Sequence, residues 1–320
     1  MDYKIILIAV IVAIIISAIL GPILIPVLRR LKFGQSIRED GPQKHLQKAG
    51  TPTMGGVMII LALSVTALQL ANKTPTLFLL ALVTIGYGLI GFTDDYIKVV
   101  MKRNLGLSVK QKLVAQITLA TVFYWFLMQT NHDTAVYFPG TNFGIELGWL
   151  YFPFVVFIMI GSTNAVNLTD GLDGLLAGIS SIVFTTYALV AIYLSQFDVA
   201  IFSASVVGAC LGFLLYNAHP AKVFMGDTGS LALGGALVGI AILTKTELLL
   251  VIIGAIFVIE ALSVILQVLF FKWKRVRIFR MSPIHHHFEL GGWSEWAVVI
   301  SFWLFTLVTA FLGLYVQFKL

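Results

Sequence analysis

Long apolar stretches, separated by short polar loops, make up most of the chain. A helix needs about 20 apolar residues to cross a bilayer. Ten stretches approach that length, and they predict transmembrane helices at about 4–28, 54–72, 76–93, 113–131, 149–164, 175–195, 199–217, 229–244, 248–271 and 297–318. We therefore expect an all-α, polytopic membrane protein with ten transmembrane helices, in which residues 1–320 form a single transmembrane domain.

The first apolar stretch could instead belong to a signal peptide. It runs from Ile5 to Leu28, whereas the apolar region of a signal peptide has roughly 7–15 residues. No basic segment precedes it and no small-residue cleavage site follows it. We therefore expect it to be retained as the first span.

The composition indicates that the bilayer is the main solvent of this chain. Of its residues, 59% are hydrophobic and 11% are charged, and the mean hydropathy is +0.96. Soluble domains carry about 25% charged residues. The single cysteine, Cys210, excludes a disulfide framework and a cysteine-based metal site.

The net charge of +6 and the pI near 9.3 would also suit a nucleic-acid-binding protein. However, lysine and arginine concentrate in alternate loops, as they do in the cytoplasmic loops of membrane proteins. Seventeen of the 21 basic residues fall in loops on one predicted side, at 29–53, 94–112, 165–174, 218–228 and 272–296. The other side holds Lys4, Lys73, Lys245 and Lys319. We therefore expect both termini outside, these five loops in the cytoplasm, and membrane lipids rather than nucleic acid as partners.

Five of the 15 carboxylates, all aspartates, lie on the same predicted face. Asp94 and Asp95 end the third span, Asp170 and Asp173 follow the fifth, and Asp227 opens the eighth. Taken singly, each could be a charge at a helix end or an N-cap. Together, in a chain so poor in charge, they indicate a functional site.

Carboxylates beside lysines suit phosphoryl transfer. Mg²⁺ takes oxygen ligands and usually a substrate's phosphates as well, and lysines can pair with the remaining phosphate charge. Neighbouring carboxylates resist joint ionisation, so one of them can serve as a base. The chain has neither a Walker A loop nor a GxGxxG segment before a helix. The pattern therefore favours a lipid-phosphate acceptor and a soluble diphosphate donor.

Three consecutive histidines, His285, His286 and His287, lie in the last of these loops. A zinc site is one interpretation and a solvated loop is another. Adjacent side chains point in different directions on either a helix or a strand, which disfavours a shared metal. We favour ring N–H groups that donate to a phosphate or to a sugar–peptide substrate.

Short segments in every large predicted cytoplasmic loop resemble those of one enzyme family. They are residues 35–39, 48–56, 94–98, 103–107, 164–174, 217–230 and 281–289. As a set, and in this order, they resemble the phospho-N-acetylmuramoyl-pentapeptide transferases (translocase I). That family belongs to the polyprenyl-phosphate N-acetylhexosamine-1-phosphate transferase superfamily. The resemblance covers the whole chain, and we see no departure from the family pattern.

The resemblance implies a reaction at the cytoplasmic face of the bacterial inner (plasma) membrane. UDP-MurNAc-pentapeptide would give its phospho-sugar-peptide to undecaprenyl phosphate, with lipid I and UMP as products and Mg²⁺ as the required cofactor. The oligomeric state stays open, with a homodimer among the alternatives.

The resemblance also implies roles for particular residues. The catalytic aspartates of the family match Asp94, Asp95 and Asp227, with Asp227 on the metal. Polar and basic residues near the phosphates match Lys48, Thr53, Lys98 and Lys110. Residues that line the cleft match Asn164, Asn167, Asp170 and Asn217. The uridine pocket matches Gly171, Leu172, Asp173 and Phe224. Nearby polar positions match Ser230 and Gln267, and the donor-side loop matches His285, His286 and His287.

Physical chemistry is consistent with several of these roles. Phe224 is an aromatic residue in a polar loop, so it could stack on uracil or anchor the loop at the membrane interface. Asp94 and Asp95 are neighbours and should differ in their tasks. We assign Asp94 to the acceptor, as a base or as a nucleophile, and Asp95 to support of the metal and the lysines. Glu260 lies in mid-span, where a charge is costly, and we favour a structural hydrogen bond for it.

Two other functions compete with this interpretation. A transferase of the same superfamily could move GlcNAc-1-phosphate to a polyprenyl phosphate with the same aspartates. The three histidines and the 48–56 segment favour the muramoyl-pentapeptide donor. A transporter would place its polar site near the bilayer midplane, whereas these acids gather at one face.

Overall fold

The computed structural model describes residues 3–31, 50–101 and 106–319. These residues form mainly helices, in the order α1 Lys4–Arg30, α2 Gly56–Leu70, α3 Pro75–Val99, α4 Val109–Met128, α5 Tyr151–Thr169, α6 Leu175–Tyr193, α7 Phe197–Asn217, α8 Gly226–Leu243, α9 Glu247–Ile253, α10 Ala255–Lys274, α11 Ile284–Glu289 and α12 Glu295–Phe318. Strands β1 Ala135–Tyr137 and β2 Gly144–Glu146 form an antiparallel hairpin between α4 and α5, in which Val136 pairs with Ile145.

Polar residues at the N-terminus of several helices fix where those helices begin. Thr74 precedes Pro75 at the start of α3, and its hydroxyl accepts a hydrogen bond from the backbone N–H of Leu77. Ser108 and Gln111 form a reciprocal capping box at α4. These side chains satisfy backbone N–H groups that have no partner within the helix.

Among the described residues, eight helices are long and apolar enough to cross a membrane, namely α1, α3, α5 with the preceding turn, α6, α7, α8, α10 and α12. The polytopic membrane class is therefore confirmed, while the ten-span count is supported only in part. The predicted second span is the 15-residue helix α2, which is short for a crossing. The predicted fourth span is α4, whose first turn carries Lys110 and Lys112 and which is therefore less apolar.

Two further features differ from the sequence prediction. The ninth predicted span is broken at Gly254, which separates α9 from α10. The chain is also not purely α-helical as expected, because the β1–β2 hairpin lies between α4 and α5. Alternating side chains and the turn residues Pro139 and Gly140 are the local reason for a hairpin here.

The helices pack around α7 and α8, which are buried on nearly all sides. α8 contacts α3, α5 and α2, while α7 contacts α1, α6 and α2. The outer helices expose their apolar side chains; in α1, for example, Ile11, Ile15 and Ile19 point outward while Ala9 and Ala13 are buried. Apolar residues on the outside are expected of a bundle whose solvent is lipid.

The two ends of the bundle carry different polar groups. One end holds the C-terminus of α3 and the N-terminus of α8, with the predicted catalytic aspartates. The other end holds the hairpin and a polar network, in which Lys245 donates to the carbonyl oxygen of Asp133 (2.7 Å) and Tyr151 donates to Glu247 (2.7 Å). The described cavity at that second end, of about 320 Å³, is lined by none of the predicted site residues.

Candidate active site

The three predicted catalytic aspartates lie together at the crossing of α3 and α8. Asp94 and Asp95 occupy the last two turns of α3, and Asp227 occupies the first turn of α8. Each carboxylate offers one oxygen such that the three oxygens lie within 4.8 Å of one another. Asp94 and Asp95 are buried, while Asp227 is partly exposed.

Small residues allow this close approach. A Cβ atom at Gly91 would overlap the backbone carbonyl of Asp227, and one at Gly56 would overlap the backbone of Gly229. The backbone of α8 therefore touches α3 and α2 directly at the level of the aspartates. The crossing brings residues more than 130 positions apart in the chain into hydrogen-bond contact.

Asp95 holds the N-terminus of α8 in place. Its carboxylate accepts hydrogen bonds from the backbone N–H of Asp227 (3.2 Å), the backbone N–H of Thr228 (2.9 Å) and the hydroxyl of Thr228 (2.7 Å). A carboxylate at this position accepts from N–H groups that have no partner within the helix, and its negative charge is attracted to the positive end of the helix dipole. Asp95 therefore orients Asp227, while its expected support of the metal and the lysines stays a prediction.

Two lysines and an asparagine converge on the Asp227 carboxylate. Lys98 (3.1 Å) and Lys112 (3.0 Å) both donate to its Oδ2, and the amide of Asn167 donates to its Oδ1 (2.9 Å). The same amide also donates to the hydroxyl of Ser230 (2.7 Å). The negative charge of Asp227 is therefore balanced by the ammonium groups of Lys98 and Lys112.

Asp94 is bound on both of its oxygens. Lys98 lies 2.5 Å from its Oδ2, and the backbone N–H of Leu107 donates to its Oδ1 (2.7 Å). Lys98 thus bridges Asp94 and Asp227. Asp94 is also tied to Leu107, in the loop that follows α3.

The donor set at this crossing fits Mg²⁺. Three carboxylates each supply one oxygen atom, and these oxygens lie close enough together to bind a single ion. Mg²⁺ prefers carboxylate and phosphate oxygens as ligands. Lys98 and Lys112 are near enough to share phosphate charge with a cation. The arrangement can hold a divalent cation and a diphosphate side by side.

The loop 170–174 between α5 and α6 adjoins this cluster. Burial raises the pKa of Asp170 to about 8, with further contributions from the charges of Asp227 and Asp95. Asp173 is buried, and its Oδ2 accepts hydrogen bonds from His219 Nδ1 (3.0 Å) and from the backbone N–H of Ala221 (3.0 Å).

Two further residues hold this loop from the side of α7 and α12. Glu295 accepts from the backbone N–H of Asp173 (2.9 Å) and lies 3.2 Å from His219 Nδ1. Asn217 accepts from the backbone N–H of Gly174 (3.1 Å) and donates to the carbonyl oxygen of Val223 (3.0 Å). The loop is thus held by residues that are distant in the sequence.

The predicted nucleobase residue, Phe224, lies at the edge of the same region and is partly exposed. Its backbone pairs with the 52–55 segment: its N–H donates to the carbonyl oxygen of Pro52 (2.8 Å), and its carbonyl accepts from Gly55 (2.9 Å). This pairing places buried Thr53 beside Gly226 and Asp95. Lys48 lies outside the described residues.

For three other predicted residues, no hydrogen bond to the aspartates occurs among the described residues. Lys110 is exposed, and no hydrogen bond of its side chain occurs among the described residues. Asn164 donates to Gln116 (3.0 Å). Gln267 binds the backbone of residues 278–279.

The three histidines point in three directions. His285 is fully buried and bonds Glu260 (2.9 Å), whereas His286 bonds Glu289 (2.8 Å). His287 accepts from the backbone N–H of Arg280 (3.1 Å). A shared metal on the three rings is therefore not supported, in agreement with the sequence argument.

Lys112, His219 and Glu295 were not among the site residues predicted from the sequence. Lys112 lies in a loop already recognised as basic, two residues from the predicted Lys110. His219 and Glu295 lie near recognised motifs, but their meeting at Asp173 spans 46 and 122 positions in the chain. Only the fold reveals those contacts.

Comparisons with known proteins agree with the resemblance. The sequence profile of glycosyl transferase family 4 matches residues 77–245. The phospho-N-acetylmuramoyl-pentapeptide-transferase signature 1 matches residues 48–60. The two matches together include all three clustered aspartates and the 48–56 segment.

Curated relatives of the same name extend over almost the full length. The phospho-N-acetylmuramoyl-pentapeptide-transferase of Bacillus velezensis is 61% identical over 318 residues, which is 98% of each chain. That of Bacillus subtilis (strain 168) is 63% identical over 294 residues, 91% of each chain. That of Geobacillus thermodenitrificans is 56% identical over 321 residues, 99% of each chain. With identity this high over both chains, and with the aspartate cluster in place, this protein belongs to the phospho-N-acetylmuramoyl-pentapeptide transferase family.

Proposed function

We propose that this protein transfers phospho-MurNAc-pentapeptide from UDP-MurNAc-pentapeptide to undecaprenyl phosphate, giving lipid I and UMP. The observation that carries the proposal is the cluster of Asp94, Asp95 and Asp227 with two lysines, at one end of an apolar helix bundle. A site at the end of a bundle can receive a lipid phosphate from the bilayer and a soluble nucleotide from the cytoplasm. The names and full-length identity of the relatives support the choice of donor.

In the proposed reaction, an oxygen of the acceptor phosphate attacks the sugar-bound phosphorus of the donor. The bond from that phosphorus to the bridging oxygen breaks, and UMP leaves with the electron pair. Positioning and charge neutralisation supply most of the catalysis in such transfers. Lys98 and Lys112 would neutralise phosphate charge, and Asp94 would take the proton of the acceptor phosphate.

Asp227 would be the principal ligand of Mg²⁺, because its carboxylate is partly exposed whereas those of Asp94 and Asp95 are buried. When bound, Mg²⁺ would neutralise the diphosphate and favour departure of UMP. Asp95 would act mainly by orienting Asp227. Phe224 and the loop 170–174 would hold the uridine.

We further propose that the aspartate end faces the cytoplasm, with ten spans and both termini outside. The distribution of Lys and Arg supports this orientation. The proposal leaves both a monomer and a homodimer as alternatives.

The function is tested by measuring UMP release by the purified protein in detergent or lipid. Turnover should require UDP-MurNAc-pentapeptide, undecaprenyl phosphate and Mg²⁺ together. UDP-GlcNAc is the matched control donor, and preferred turnover of it would assign the protein to GlcNAc-1-phosphate transfer instead. Uptake of a solute into vesicles without UMP release would indicate a transporter.

A further inference from the structure

A stripe of polar side chains runs along α10, a helix whose other faces are largely apolar and exposed. Glu260, Ser263 and Gln267 are all buried, at spacings of three and four residues, and therefore lie on one face. From the sequence, Glu260 was expected to make a structural hydrogen bond, but its partner could not be identified. Two of these side chains, Glu260 and Gln267, bind the chain that follows α10.

After α10 ends, the chain turns back and runs along this stripe. Arg275 adopts a left-handed conformation (φ 58°) directly after the helix. The backbone N–H groups of Ile278 and Phe279 then both donate to Gln267 Oε1 (3.0 Å each). The segment then leads into α11, which lies beside Glu260. Glu260 precedes Gln267 by seven residues, which is about 10 Å along the axis of α10.

Glu260 receives α11 with both carboxylate oxygens. The backbone N–H of Ile284 donates to its Oε2 (2.9 Å), and the Nδ1 of His285 bonds its Oε1 (2.9 Å). The side chains of Glu260 and His285 are both fully buried, with 0% exposure. Two contacts from adjacent residues fix the position of the His285 ring as well as its rotation.

The far edge of the His285 ring lies against the loop 170–174. Its Nε2 is buried and has no hydrogen-bond partner among the described residues. A Cβ atom at Gly171 would overlap Nε2 and the adjacent ring carbons. Gly171 therefore touches the ring edge, and the ring sets how far the loop can move toward α10.

We propose that Glu260 is a positioning residue for the nucleotide donor, which acts through His285 on the backbone of Gly171. Glu260 sets the place of the imidazole, and the imidazole supports the loop that carries Asp170 and Asp173. This inference rests on the proposed function, because it takes that loop to be the donor pocket. Glu260 itself touches neither substrate nor metal in this account.

A carboxylate suits this task better than an amide of the same shape. Glu260 can accept from both donors at once, whereas a glutamine would turn its NH₂ group toward one of them. The His285 ring would then have to change its tautomer or shift. Either change alters the ring edge that faces Gly171, without removing any group from the loop itself.

The first experiment compares Glu260→Gln with Glu247→Gln. Glu247 is also buried, but it bonds Tyr151 at the opposite end of the bundle, so it is a matched control for loss of a buried carboxylate. We expect Glu260→Gln to raise the KM for UDP-MurNAc-pentapeptide and the Kd for UMP about tenfold. The KM for undecaprenyl phosphate should stay within about twofold, and Glu247→Gln should leave all three constants within about twofold.

A donor KM within threefold of the wild-type value would overturn the proposal. So would equal rises in the KM values of donor and acceptor, since a general loss of structure predicts that pattern. Failure of the wild-type protein to use UDP-MurNAc-pentapeptide would instead refute the proposed function. UMP binding separates these cases because it does not require turnover.

A second set of variants covers the case in which Glu260→Gln fails to fold. Gly171→Ala places a methyl group against the ring and should raise the donor KM about tenfold or more. Adding His285→Ala removes the ring, so the double variant should bind UMP more tightly than Gly171→Ala alone. A double variant that binds no better than Gly171→Ala would show that the ring does not set the loop position, and would overturn the proposal.

Discussion

At the scale of single residues, Asp227 is distinguished by the number of groups that meet it. Two lysines share one of its oxygens and an asparagine holds the other. Asp94 lies beside it but is bound to Lys98 and to a backbone N–H of the next loop. The two carboxylates therefore have different surroundings, which implies different tasks.

Replacing each aspartate by asparagine should separate these tasks. Asp227→Asn should lower kcat by at least about a hundredfold and weaken the Mg²⁺ dependence of UMP binding, because a ligand charge is lost. Asp94→Asn should bind UMP and Mg²⁺ normally but turn over slowly, and its rate should rise at high pH as the acceptor phosphate ionises unaided. Rates of both variants across pH, with UMP titrations, provide the measurement. Near-normal turnover of Asp94→Asn at neutral pH would remove Asp94 from the chemistry.

The two lysines at the start of α4 offer an internal comparison. Lys112 lies 3.0 Å from Asp227, whereas Lys110 is exposed. Lys112→Gln should lower kcat/KM by about tenfold to a hundredfold, equivalent to about 1.4–2.7 kcal/mol. Lys110→Gln should change it by less than about threefold. If Lys110→Gln has the larger effect, the family assignment of Lys110 is right and the contact of Lys112 is incidental.

At the scale of helices, the site depends on how closely α3 and α8 approach. Gly91 is the contact point, and any side chain there would push against the backbone of Asp227. The aspartates are thus placed by the crossing as much as by their own hydrogen bonds. A change that leaves every catalytic side chain intact should still disrupt the site.

Gly91→Ala tests this dependence. Overpacking should destabilise the protein by about 1–3 kcal/mol and should lower kcat, because Asp227 moves relative to Asp94. Gly161→Ala in α5 is the control, since a Cβ atom there meets nothing within 4 Å. Thermal unfolding and UMP release measure the two effects. Equal activity of the two variants would argue against the helix crossing as the device that places Asp227.

The polar network beside the hairpin should make stability depend on pH. Burial lowers the pKa of His132 to about 4, helped by the positive charge of Lys245 and opposed by Asp133. In the unfolded chain this imidazole takes up a proton near pH 6.5. The unfolded state therefore binds more protons between about pH 6.5 and pH 4, and folding stability should fall as the pH drops through that range.

His132→Gln should reduce this acid sensitivity while keeping a hydrogen bond to Tyr151, which lies 3.2 Å from the imidazole. The expected result is a smaller fall in Tm between pH 7 and pH 5 for the variant than for the wild type. Other acidic groups titrate in both proteins and cancel in the comparison. Parallel Tm curves for the two proteins would mean that His132 is protonated in the folded state as well.

At the scale of the whole molecule, the arrangement across the membrane is the main prediction still to be tested. Cysteine at Lys274, the last residue of α10, should be labelled only from the cytoplasm, and cysteine at Asn142, in the hairpin, only from outside. Both positions are exposed, and buried Cys210 would be replaced first. Impermeant reagents applied to intact cells and to inverted vesicles measure the two sides. Labelling of both positions from one side would contradict the proposed orientation.

Much of this architecture could be predicted from hydrophobicity alone, because lipid demands continuous apolar helices. Each predicted span corresponds to a helix, but α2 is short, α4 is more polar, and Gly254 breaks the ninth. The polarity of α4 is visible in its lysines, whereas the length of α2 and the break at Gly254 depend on packing against neighbours. The hairpin lay in a loop where the pattern was too short to stand out.

The site was predictable in its residue types and less so in its contacts. Short motifs marked the aspartates, Asn167 and the loop 170–174, since these carry unusual polarity in an apolar chain. The role of Lys112 depends on a contact across 115 positions. The partner of Glu260 lies 25 residues away, beyond the end of its own helix. Neither pairing has a periodic signature in the sequence.

The polar stripe on α10 also has a consequence for how the protein is made. When α10 leaves the ribosome and enters the membrane, Ile284 and His285 have not yet been delivered, because they follow Glu260 by 24 and 25 residues. During that interval the Glu260 carboxyl group lacks both of these partners, and a charge at the centre of a membrane span costs about 2.5 kcal/mol or more. The arrival of α11 relieves that cost and brings His285 against Gly171 in one event. On this proposal, a nascent chain completes its nucleotide pocket only near the end of synthesis, however many helices are already inserted.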